Sequence, residues 1–143
     1  MNRKFLLAAL VTTIVLFILN ALVYVVFLKE FFQNHPAVSP EFMKQLYRPD
    51  DQLIMWAVVL CSLAVGCFVT TVINWSGART FAAGLKSGFV FGILFLFSVD
   101  FGLLGTTNNF TTAGAFADII CSTTTITISS GIAAWLLGRG KSS

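Results

Sequence analysis

Phe5-Leu-Leu-Ala-Ala-Leu-Val-Thr-Thr-Ile-Val-Leu-Phe-Ile-Leu-Asn-Ala-Leu-Val-Tyr-Val-Val-Phe-Leu28 carries no charged residue. A helix rising about 1.5 Å per residue needs about 20 mainly apolar residues to cross a bilayer core. This stretch meets that length, and Arg3 and Lys4 precede it. It is longer than the 7–15 residues of a secretory h-region, and no A-x-A-like cleavage site follows, so a retained helix is expected. Working outward, three further stretches qualify: about Leu53 to Ile73, about Gly88 to Leu104, and about Ala113 to Leu137. Composition agrees. Of 143 residues, 57% are hydrophobic and 10% charged, and mean hydropathy is +0.86. A soluble domain is about 45–50% apolar and about 25% charged. These values exclude a soluble enzyme, a disordered tail and a nucleic-acid binder. They predict one all-α domain over residues 1–143, an integral membrane four-helix bundle whose first partner is the lipid bilayer.

Lys and Arg set the expected orientation. Arg3, Lys4, Arg79, Lys86, Arg139 and Lys141 fall on one side of a four-helix path. Lys29, Lys44 and Arg48 fall on the other, offset by Glu30, Glu41, Asp50 and Asp51. The positive-inside bias then places both termini in the cytoplasm. Trp75 and Trp135 suit an inner aromatic belt and Trp56 an outer one. The net charge of +3 needs no anionic partner beyond this bias.

The loop from Lys29 to Gln52 is the one sizeable extramembrane piece. Ser39-Pro40-Glu41 is a helix start: a hydroxyl N-cap, proline at the first helical position, an acid in the first turn. Phe42, Met43, Leu46 and Tyr47 follow on one face, and Pro49 ends the helix. A short amphipathic helix on the outer leaflet is expected, either packed on the bundle as a connector or covering an outward-facing cavity.

Without a hydrophobic drive between helices in lipid, small residues allow backbones to approach. Gly84, Gly88 and Gly92 recur every four residues and are expected as a helix-packing stripe, within the chain or between copies of it. Cys61, Cys67 and Cys121 lie in apolar runs without metal-site spacing, where cysteine behaves as a small hydrophobe. His35 is the sole histidine, and no metal site or cofactor is expected. No nucleophile-elbow, zincin or phosphate-loop motif occurs.

Two acids fall within the spans, Asp100 and Asp118. Such residues are costly in a membrane and usually turn to the bundle interior. Depth suggests their partners. Asp100 stands 14 residues past Lys86 and Asn20 stands 16 past Lys4, about 21 and about 24 Å along their helices. Asp118 stands 21 before Arg139 and Tyr24 stands 20 past Lys4, about 31 and about 30 Å out. Asp118, Ser122, Thr125 and Ser129 share a helical face. The expected locus is a polar cluster of Asn20, Tyr24, Asp100, Asp118, Ser122 and Thr125 in the outer half of the bundle. Its roles range from a hydrogen-bond knot to a proton or cation site.

Three further landmarks carry a resemblance. They are the aromatic exit of the first helix from Asn20 to Phe32, the glycine-rich stretch from Gly88 to Asp100 with Asn108-Asn109-Phe110 after it, and the opening Asp118-Ile119-Ile120. Together they resemble a family of small bacterial four-helix inner-membrane proteins of unknown function. The resemblance implies a bacterial inner-membrane location and no established activity. Gly105 to Thr112 is similar in composition to the helix break of fluoride channels, but falls between two spans. Small multidrug exporters carry a glutamate in the first helix, and this chain has none there.

The expected function is therefore an accessory or structural membrane component without enzymatic activity, alone, as a homo-oligomer or in a larger complex. The alternatives are a small proton- or cation-coupled transporter or channel using Asp100 and Asp118, and a membrane enzyme using the same carboxylates for acid–base chemistry.

Overall fold

The computed structural model describes residues 3–139; Lys141 of the charge pattern lies outside them. The chain is all-helical, without a strand among the described residues. In order come α1 (Arg3–Val23), a π-helical turn (Tyr24–Leu28), α2 (Lys29–Asn34), α3 (Pro40–Leu46), a 3-10 turn (Asp50–Gln52), α4 (Met55–Trp75), α5 (Phe81–Thr106) and α6 (Thr112–Gly138). Four helices are long and apolar enough to span a membrane: Arg3–Asn34, α4, α5 and α6. This is the build of a multi-pass membrane protein. The first continues for 32 residues, about 48 Å. It therefore outruns a hydrocarbon core of about 30 Å and carries Lys29 and Glu30 beyond it.

Local chemistry sets the boundaries. Thr80 and Thr111 cap α5 and α6, their hydroxyls accepting from Ala83 N at 3.2 Å and Gly114 N at 3.0 Å. α5 thus starts seven residues before the Gly88 start expected from hydropathy. The polar Lys86-Ser87 step lowers the apolar signal there, but it does not interrupt a capped helix. The turn between α4 and α5 needs one left-handed residue, Gly77 at φ 73°, where glycine carries no Cβ penalty. Ser39 caps α3 by accepting from Phe42 N at 3.3 Å, with Pro40 in the first turn. Met43 and Tyr47 line a groove that they share with Tyr24 and Phe32 of the first helix.

α6 is the centre of the bundle. It packs most extensively on α5, then on α1, and also touches α4. The α5–α6 contact is close because Gly84, Gly88 and Gly92 lie against Ala134, Ser130, Thr127 and Ile126. A Cβ at Gly88 would collide with the side chain of Ser130. A second close approach joins α1 and α4, where Gly66 faces Thr13. The buried apolar core, with Leu16, Val69, Ile73, Ala133 and Ala134, sits towards the end that holds Arg79 and Arg139. The opposite end is looser: residues 55–65 of α4 include none that is buried.

Candidate functional site

The tight α5–α6 pair brings Asp100 and Asp118 together. Asp100 is 3% exposed, so its carboxyl is enclosed by protein. The two carboxyl groups are close enough to interact with one another. Asp118 also accepts from the Ser122 hydroxyl at 3.3 Å. Oδ2 of Asp100 is buried and meets no N–H or O–H donor among the described residues. Phenylalanines flank the pair along both helices. Phe97 and Phe101 stack at 5.1 Å, and Phe116 stands edge-on to both at 6.3 and 5.5 Å.

The other expected members lie elsewhere. Thr125 donates to Asn20 Oδ1 at 3.0 Å and also approaches the Ser122 carbonyl at 2.9 Å. A hydroxyl has one proton, so the two acceptors share it. Asn20 therefore ties α1 to α6 about two turns inward of the carboxyl pair. The exposed side of its amide carries no further hydrogen bond among the described residues. Tyr24 is exposed, and its hydroxyl makes no hydrogen bond among the described residues. Its ring lies with Phe32, His35 and Phe110 at the head of the bundle.

The depth counting accounts for the difference. Counted from Lys86, Asp100 falls level with Asn20. α5 begins at Phe81, however, and the Arg79 carbonyl lies against Gly138, next to Arg139. Arg79 and Arg139 are the matched anchors. Asp100 stands 21 residues after the first and Asp118 stands 21 before the second, each about 31 Å along its helix. Helix capping at Thr80, rather than the nearest lysine, is the signal that pairs the two acids.

Inward of the pair the seam is filled. Thr125, Ser129 and Ser130 on α6 are buried, at 2%, 0% and 0% exposure. The glycine stripe of α5 closes over Ser130 and Thr127. Hydroxyls of Thr12, Thr123, Thr127, Ser129 and Ser130 are buried without a hydrogen bond among the described residues. An unpaired buried hydroxyl costs about 1–3 kcal/mol, so these side chains serve here as small packing groups. At the anchored end Arg79 donates to the Ala78 carbonyl at 2.8 Å and to Asn74 Oδ1 at 3.0 Å. The Arg139 guanidinium lies 4.1 Å from the Trp135 ring centroid. Comparison with family models, curated proteins and solved structures finds no match to this chain.

Proposed function

We propose that this protein is a packed, non-conducting membrane component, structural or accessory, acting alone or within a larger assembly. The filled seam inward of Asp118 carries this reading. A conduction path from the carboxyl pair would have to pass Thr125 and Ser129, which are buried, and Ser130, which the glycine stripe closes over. On this reading Asp100 and Asp118 clasp α5 to α6, and Asn20 clasps α1 to α6. The exposed side of the Asn20 amide at bilayer depth favours a covering partner, a second copy or another subunit, because polar groups facing lipid are costly. The setting is a bacterial inner membrane, as the sequence resemblance implies, with both termini in the cytoplasm, a placement supported by the distribution of Lys and Arg.

A second reading rests on the carboxyl pair itself. A buried acid beside a half-buried one suits proton or cation coupling, with Asp100 and Asp118 as the sites. Proteoliposomes separate the two. Proton and monovalent-cation flux no greater than in protein-free liposomes is expected, unchanged by Asp100→Asn. A pH-dependent flux that Asp100→Asn abolishes would replace the structural reading by the transport one.

A further inference from the structure

The outer end of the first helix and α3 enclose a groove of about 710 Å³ that the carboxyl pair does not share. Its floor is apolar and aromatic, with Phe32, Met43 and Tyr47. Lys29, Lys44 and Arg48 line it too, and no acid does among the described residues. The segment as a whole is not basic: it also carries Glu30, Glu41, Asp50 and Asp51, and of these Glu30, Glu41 and Asp51 lie outside the groove. None of the three cations makes an ion pair or hydrogen bond among the described residues. Among the described side chains charge is therefore sorted, with cations on the groove and Glu30, Glu41 and Asp51 away from it.

Depth gives this sorting a meaning. Lys29 follows Lys4 by 25 residues, about 38 Å of helix. A hydrocarbon core is about 30 Å thick and the headgroup layers bring the bilayer to about 40–45 Å. The groove thus sits at headgroup level, and Val25, Val26 and Phe27 of the adjoining π-helical turn are exposed just inward of it. An occupant must present an anion to Lys29, Lys44 and Arg48 and hydrocarbon to Phe32 and Met43.

We propose that this groove binds a phospholipid with a net negative headgroup, its phosphate among Lys29, Lys44 and Arg48 and its acyl chains along the first helix. A zwitterionic lipid offers the same chains, but its ammonium cancels the charge that the three cations would meet. Each cation near an anionic lipid contributes about a fivefold preference. Cations with flexible stems can lay their methylenes over the apolar floor while their heads reach the phosphate.

Native mass spectrometry of the full-length protein in detergent tests this, by titration with phosphatidylglycerol and, separately, phosphatidylcholine. Tighter binding of phosphatidylglycerol is expected, by about fivefold for each cation engaged. Lys29→Gln, Lys44→Gln and Arg48→Gln together should remove the preference, whereas Lys44→Arg should keep it. Tyr47→Ala should weaken both lipids alike. Equal binding of the two lipids by the native protein would overturn the proposal, as would a preference that survives the triple substitution. Inorganic phosphate that displaces phosphatidylglycerol at equal concentration would also overturn it, because the site would then read the anion and not the lipid.

Discussion

Among the glycines of α5, position decides what a methyl group would do. Gly88 has Ser130 directly against it, whereas Gly102, on the same helix, has open space where a Cβ would stand. Overpacking a filled contact costs about 1–3 kcal/mol. Gly88→Ala should therefore lower stability by about that amount in detergent, read by thermal unfolding. Gly102→Ala should cause no loss, since alanine favours a helix over glycine. Equal effects at the two positions would mean that backbone propensity, and not the α5–α6 approach, governs this helix. The four-residue spacing of Gly84, Gly88 and Gly92 was readable in the sequence. That their partners are Ala134, Ser130, Thr127 and Ile126 was not, because a small-residue stripe specifies closeness without naming the neighbour.

At the scale of elements, capping chemistry was the most informative local signal. Ser39-Pro40-Glu41 marked the start of α3 from sequence, and Ser39 accepts the Phe42 amide in the structure. Ser39→Ala should destabilise α3 by about 1 kcal/mol. Amide exchange across residues 40–46 should quicken, while exchange in the α5–α6 core stays unchanged. Thr80 carries the same kind of signal for α5, and it is hydropathy, weakened across Lys86 and Ser87, that points to a later start. That single boundary shifted the apparent depth of Asp100 and hid its pairing with Asp118. Tyr24 shows the complementary limit. Spacing of i, i+4 from Asn20 puts both on one helical face. Spacing does not say how far α6 extends alongside that face, and at Tyr24 the neighbours are Phe32, His35 and Phe110.

For the whole molecule, composition and four apolar runs were enough to give an all-helical, membrane-spanning chain. The arrangement of the helices was less accessible. All four are hydrophobic on most sides, so amphipathicity does not say which one lies at the centre. The hydroxyl-rich α6 takes that place because serine, threonine, glycine and alanine admit three neighbours at close range. Four passes return the chain to its starting side, so the turn at Ser76 and the loop at Ser39 should face opposite compartments. With Cys61, Cys67 and Cys121 replaced by serine, Ser39→Cys should react with an impermeant maleimide on intact cells. Ser76→Cys should react only after the membrane is opened. Reaction of both on intact cells would disprove the four-pass path.

The π-helical turn at Tyr24–Leu28 has a consequence for chain length. Wider hydrogen-bonded rings of this kind accommodate one residue more than an α-helix uses over the same rise. Deleting one amino acid between Tyr24 and Leu28 would tighten the coil to ordinary α geometry and leave both flanks facing as before. The same deletion near Thr13 would rotate every side chain beyond it out of register with Gly66. The outer end of the first helix is thus the place where the gene can lose a codon while the bundle keeps its fit.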